Sequence, residues 1–265
     1  VQTCPLPDPP AQPMTAPTAA GAGSWLSDKA IAPGDRLIVA LDVPTAAEAL
    51  ELVDLLGGHG SFYKIGMELL AGGDFFPLLR TLHERGKKVF VDLKFFDVPA
   101  TVASAVRGMA RHPATFCTIH GNDGMVRAAV ANKGHLKLLA VTALTSLDRH
   151  DLDEMGFACE PRDLVLSRAR AALAAGCDGV VSSGLEAADL RAELGPRLLV
   201  VCPGIRPVLN DDDQKRTVDV RQAFLNGADH IVVGRPIREA ADPRAACAAI
   251  QSTIVGLFDR AGTAP

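Results

Sequence analysis

From Arg36 onward the chain alternates short, β-branched apolar runs with longer segments of helical period, the two kinds divided by Gly, Pro or Asp. Runs such as LIVAL and HIVVG carry no polar alternation, which suits parallel strands covered on their outer face by helices. The pattern predicts eight strands, near Leu37–Val43, Phe62–Leu69, Lys88–Lys94, Phe116–Gly121, Lys137–Leu144, Gly179–Ser183, Leu198–Pro203 and His230–Gly234. Helical periodicity falls between and after them. Over Thr45–Leu56, for example, Ala46, Ala49, Leu50 and Val53 share a face, and a closing helix spans Pro243–Arg260. Repeated βα units of this kind imply an α/β fold, a single-domain (β/α)8 TIM barrel over residues 34–265. The alternative, an open doubly wound sheet, usually places a glycine-rich turn after its first strand, and here that turn reads LDVPT.

Composition adds limits. With 48% hydrophobic and 22% charged residues, the 265-residue chain can bury a sizeable core and keep a polar surface. Residues 1–33 hold seven of the eighteen prolines among Ala, Thr and Gly, and are expected to form a flexible tail. That stretch has no Arg and no apolar segment after a basic start, so no secretory or mitochondrial address is expected and the cytoplasm is the expected location. The charge-free run 9–27 is too rich in Pro, Gly and Thr to span a bilayer, and 245–258 is too short, so no membrane partner is expected. A net charge of −4 gives no reason to expect nucleic acid, and an anionic ligand would need a local cluster of Lys and Arg. The six cysteines show no CxxC and no Cys/His spacing suited to structural zinc; they read as free thiols.

In a (β/α)8 barrel the chemistry lies at the C-terminal ends of the strands. The polar residues there are Asp42, Lys64, Asp92, Lys94, Asp97, His120, Thr145, Ser183, Arg206 and Arg235. Asp92 and Lys94, two apart in VFVDLKFFD, leave the same face of their strand. If that face is the barrel interior, neither charge is tolerable alone, and Asp42 and Lys64 on neighbouring strands supply compensation. Carboxylates interleaved with lysines keep the lysines protonated, hence proton donors rather than Schiff-base nucleophiles. A rim salt bridge is the plainer reading of a single DxK pair, but convergence of four charges on three consecutive strands points to a site. A second cluster comes from the last two units. Gly234-Arg235 follows strand eight, where barrels commonly hold a phosphate, and the long polar stretch CPGIRPVLNDDDQKR reads as a lid over the same mouth.

These residues resemble the orotidine 5'-phosphate decarboxylases over about residues 36–260, through LIVALDV, FYKIGMEL, VTALTSLD, SSGLEA, CPGIRP and VVGRPI. The most specific segment is VDLKFFDVPATV, which is similar to the family's D-x-K-x-x-D signature; Val98 stands where the family more often has Ile. The resemblance implies decarboxylation of orotidine 5'-monophosphate to uridine 5'-monophosphate by a homodimer, with no metal and no cofactor. It implies that Lys94 protonates C6, that Asp92 faces the substrate carboxylate, that Lys64 links it to the ribose and that Asp42 binds a ribose hydroxyl. Asp97 and Thr101 would enter the partner subunit's site. Thr145 would contact the pyrimidine, and Gln214, Gly234 and Arg235 the phosphate, with Arg206 at the lid's base. The related 3-keto-gulonate phosphate decarboxylases and hexulose phosphate synthases have a similar strand but need magnesium. Glu68 is the only carboxylate near strand two that could serve as their extra ligand. A catalytically silent nucleotide-binding barrel would not need Asp92, Lys94 and Asp97 together. A phosphopentose epimerase would need metal-binding histidines, whereas His120, alone at the mouth, reads as a hydrogen-bonded rim residue.

Overall fold

The computed structural model describes residues 25–206 and 218–259. Its eight strands are β1 (Leu37–Ala40), β2 (Phe62–Gly66), β3 (Lys88–Phe95), β4 (Phe116–Ile119), β5 (Lys137–Val141), β6 (Gly179–Val181), β7 (Leu199–Cys202) and β8 (His230–Val233). Each pairs in parallel with its neighbours in the chain, and β8 pairs with β1 to close the barrel. Because alternate side chains leave opposite faces of a strand, the wall sorts its residues into two apolar sets. Ile38, Phe62, Phe90, Phe116 and Val201 fill the interior, while Val39, Tyr63, Val91, Cys117 and Ile231 join the larger core shared with the helices. Continuing the inward set along β1 to β4 leads from these apolar side chains to Asp42, Lys64, Asp92 and Thr118 at the mouth.

The apolar runs overshoot the strands at their C-terminal ends. Expected strand 62–69 stops at Gly66 and turns into the helix Met67–Ala71, and Val43, Gly121, Leu144 and Ser183 also lie beyond the ladders. Val43 and Ala143 remain buried beyond the ladders, so the apolar signal there reports burial rather than strand, whereas the Leu41 N–H still donates to the Lys64 carbonyl at 2.9 Å. The first long helix, Ala46–Leu56, is capped by Thr45, whose hydroxyl accepts the Glu48 N–H. Its buried face is Ala49, Leu52, Val53 and Leu56, with Ala46 and Leu50 partly buried against the same core. The closing helix runs Pro243–Phe258, and Arg260 lies outside the described residues. Short helices Met67–Ala71, Arg149–Glu154 and Arg235–Arg238 decorate the mouth in addition to the barrel helices. None of the described helices is long and apolar enough to cross a membrane.

Residues 25–33, expected as part of a tail, are instead strapped across the barrel floor. Asp229, wholly buried, accepts hydrogen bonds from Ser27 Oγ, Lys29 Nζ at 2.9 Å, Arg191 Nη2 at 2.7 Å and the Val200 N–H at 2.9 Å. Burial pushes its carboxyl up, but the Arg191 and Lys29 cations and the Ser27 hydrogen bond outweigh it and hold the group below its ordinary value. Nearby, the His230 ring meets the rings of Phe62 and Phe116 edge-on at 5.9 and 5.2 Å, with Nδ1 2.8 Å from the Asp35 carbonyl. Burial lowers this imidazole to about 4, which keeps it neutral at pH 7 and makes Nδ1–H the donor to that carbonyl.

Candidate active site

At the C-terminal mouth, four charges from three adjacent strands form an alternating chain. Lys64 on β2 places Nζ 2.7 Å from Asp42 Oδ1 and 3.7 Å from Asp92 Oδ2. Lys94 Nζ lies 3.0 Å from both oxygens of Asp92. Asp92 is mostly buried, so desolvation pushes its carboxyl up. The ammonium groups of Lys64 and Lys94, with hydrogen bonds from Lys94 and Thr118, outweigh that and hold it below the usual carboxylate value. The site therefore carries Asp92 as an anion at neutral pH.

The backbone under this array is irregular. Val91 pairs with Cys117 and Phe95 with Ile119, so β3 contributes two more residues than β4 between those pairs, a bulge. Lys94 sits in it at φ 50°, the one non-glycine with positive φ among the described residues. Such outliers persist only where surrounding structure fixes them, and they gather at functional sites.

A cavity of about 490 Å³ opens over these groups. Its walls include Asp42, Lys64, Asp92 and Lys94 on one side and Thr145, Arg206, Gly234 and Arg235 on the other, so the structure brings together eight of the eleven expected site residues. Asp97 and Thr101 do not line it: both are exposed at the start of helix Pro99–Met109, where Asp97 Oδ1 accepts the Val98 N–H at 2.6 Å. Gln214 lies outside the described residues, as does 207–217 of the expected lid; Arg206, at its near end, donates its N–H to the Val218 carbonyl at 3.1 Å. Ser183 is buried, its Oγ accepting the Leu185 N–H.

His120 lies at the same mouth, beside Phe96. Its Nδ1 is buried without a hydrogen-bond partner among the described residues, and its ring packs edge-on against Phe96 at 5.2 Å. Burial, then the nearby Arg168 and Lys94 cations, lowers its pKa, so the ring is neutral at pH 7. Two site residues escaped the sequence reading. Arg238 donates to the Asp42 carbonyl and lines the cavity. Thr118 bonds Asp92, and its only signal in the sequence is a lone hydroxyl on the inward register of an apolar strand.

The walls carry five cationic side chains, Lys64, Lys94, Arg206, Arg235 and Arg238, against the carboxylates of Asp42, Glu68 and Asp92. On a chain of net charge −4, this concentrates positive charge where an anion would enter. A larger cavity, about 700 Å³, opens at the opposite face among Lys87, Arg111, His112 and Lys137. It lacks any carboxylate among its walls and lies at the strands' N-terminal ends, where barrel conservation serves stability rather than catalysis. No three His, Cys, Asp or Glu side chains converge in a metal-binding group among the described residues.

A partly buried, charge-alternating array at the C-terminal mouth of a closed barrel marks the class as a (β/α)8 enzyme whose site lies in a cation-rich cavity. Comparison with known proteins narrows the class. The model of the orotidine 5'-phosphate decarboxylase / HUMPS family matches residues 35–250, and the chain belongs to that family. It is 59% identical over 237 residues to an orotidine 5'-phosphate decarboxylase of Methylococcus capsulatus, covering 89% of this chain and 98% of the relative. It is 58% identical over 227 residues to the enzyme of that name from Xanthomonas euvesicatoria, covering 84% and 93%. A crystal structure of orotidine 5'-phosphate decarboxylase from Lactobacillus acidophilus superposes with a TM-score of 0.74 at 36% identity, covering 83% of this chain and 99% of that one.

Proposed function

We propose that this protein converts orotidine 5'-monophosphate to uridine 5'-monophosphate in pyrimidine biosynthesis, without metal or cofactor, as a homodimer whose subunits share their sites. The observation that carries the reading is the Asp42, Lys64, Asp92, Lys94 chain, with contacts of 2.7, 3.7 and 3.0 Å at the floor of a cationic cavity. The substrate brings a phosphate and a carboxylate, which suits walls whose cations outnumber their carboxylates.

Arg235, Gly234 and Arg206 anchor the phosphate on the β7 and β8 side, a role the resemblance also gives to Gln214, which lies outside the described residues. Asp42 accepts from a ribose hydroxyl and Lys64 donates to one, while Thr145 contacts the pyrimidine. This sets C6 against Asp92 and Lys94. The bond from C6 to its carboxylate then breaks heterolytically: carbon dioxide leaves neutral and the electron pair stays in an sp² orbital on C6. No ring carbonyl is conjugated with that orbital, so stabilisation falls to a fixed cation, and the Lys94 ammonium fills that role. An N–H bond of Lys94 breaks as the C6–H bond forms, and solvent reprotonates the amine. Charge moves from the substrate carboxylate to C6, toward a cation already oriented before substrate arrives, so little reorganisation is required. Repulsion between Asp92 and the substrate carboxylate adds to this as a secondary effect.

The exposed ends of Phe96 and Val98, 65% and 60% accessible beside Asp97, support a subunit contact that would carry Asp97 and Thr101 into the neighbouring site. The purified protein is expected to form uridine 5'-monophosphate and carbon dioxide in equal amounts from orotidine 5'-monophosphate with excess chelator present. Formation only after magnesium is restored, or no product at all, would overturn the reading.

A further inference from the structure

Thr118 is wholly buried on β4, and its hydroxyl joins two parts of the array that the strand ladder leaves apart. Its Oγ1 accepts the backbone N–H of Lys94 at 2.9 Å. A hydroxyl has one proton to give, and with Lys94 as donor to the oxygen that proton goes to Asp92 Oδ1, 2.9 Å away. The same Oδ1 accepts from Lys94 Nζ at 3.0 Å. The result is a closed ring: Lys94 backbone, Thr118 hydroxyl, Asp92 carboxylate, Lys94 ammonium.

The ring resolves a problem set by the bulge. Residues extruded from a ladder lose their partner strand's carbonyls, and a buried N–H without a partner is rare. Thr118 supplies the missing acceptor at Lys94, the residue held at φ 50°. We infer that Thr118 is a positioning residue for the decarboxylation: it locks the left-handed backbone of Lys94 and the carboxylate plane of Asp92 to each other. The inference rests on the proposed reaction for its kinetic consequence, although the positioning itself is a structural claim. The groups facing Asp92 are Lys64 from β2, with Asp42 beyond it, Lys94 from its own strand, and from β4 Thr118 and the thiol of Cys117. Thr118 is the one neutral donor to the carboxylate in this set.

The test compares Thr118→Val, which keeps the shape and removes both hydrogen bonds, with Thr118→Ser, which keeps both. For the Val variant, kcat is expected to fall on the order of 10²-fold with KM within about threefold, since the displaced groups address C6 and not the phosphate. The acid limb of its kcat/KM profile is expected to move to higher pH, because the carboxylate loses a hydrogen bond that favours its charged form. The Ser variant should stay near wild type in both. Crystal structures of the two variants are read alongside for the φ of Lys94 and its contact with Asp92, which are expected to relax in Val and persist in Ser. Wild-type kcat in Thr118→Val, or equal losses in Val and Ser, would show a packing role and overturn the inference. Should the wild-type protein fail to decarboxylate, the proposed reaction falls, and the structures still decide: an undisturbed Lys94 and Asp92 in the Val variant overturns the positioning claim.

Discussion

Lys94 Nζ stands equidistant, at 3.0 Å, from the two carboxylate oxygens of Asp92, a residue only two positions before it on the same strand. Regular strand geometry sends such neighbours out side by side, with Cα atoms roughly 6.6 Å apart, and does not require the tips to meet. Here the bulge bends them into a clasp. An ammonium held against a carboxylate in the resting protein is already aimed, so in the proposed reaction its position would not have to be created as charge develops on C6.

The phosphate end of the cavity can be tested apart from this clasp. Arg235 lines the wall opposite Asp92, so Arg235→Ala should lower kcat/KM for orotidine 5'-monophosphate by about 100-fold or more, as expected for loss of a charge-assisted contact. Steady-state kinetics on wild type and variant check this. A change below threefold would remove Arg235 from phosphate binding.

The proposed sharing of sites between subunits predicts complementation. Asp97 is exposed outside the cavity while Lys94 lines it, so Asp97→Ala and Lys94→Ala should each be inactive alone. Refolded together in equal amounts, half the dimers are hybrids with one intact site of two, and about one quarter of wild-type activity should return. Absence of recovery in hybrids verified by mass spectrometry would place both residues in one subunit's site.

The barrel floor predicts a pH dependence of stability. His230 has its pKa lowered to about 4 in the folded state, against about 6.5 when unfolded. Between those values the unfolded chain binds the extra proton, so stability is full above pH 6.5 and falls as pH drops toward 4. The loss from this one group amounts to about 3 kcal/mol. Urea unfolding at pH 7 and pH 5 should show about 2 kcal/mol of this loss, and His230→Gln should flatten the slope in that interval. An unchanged slope in the variant would assign the dependence to other groups.

Much of this architecture is legible in the sequence because burial on both faces of a parallel strand writes uninterrupted apolar runs, and polar residues at the ends of such runs are conspicuous. Asp42, Lys64, Asp92 and Lys94 stand out in that way, and the structure gathers them. The strand ends are less legible, since Val43 and Ala143 are apolar for burial and not for pairing. Trp25 and Lys29 sit next to a Pro-rich stretch whose composition masks their attachment to Leu225 and Asp229 on the far side of the chain. Thr118 was hidden because a single hydroxyl in an apolar strand looks like any core threonine. Its importance depends on the bulge at Lys94, and nothing in VFVDLKFFD announces a residue at φ 50°. Arg238, four residues into a new helix, gives no sign in sequence that it reaches back to the Asp42 carbonyl.

The most direct test of the central claim concerns Lys94 itself. On the proposed reaction, Lys94→Ala removes both the cation and the proton donor from C6, and kcat/KM should drop by at least about 10⁴-fold, combining electrostatic and general-acid contributions. The variant should keep wild-type circular dichroism and bind uridine 5'-monophosphate, whose phosphate and ribose contacts lie elsewhere. A folded Lys94→Ala protein that still decarboxylates at a rate near wild type would contradict the account.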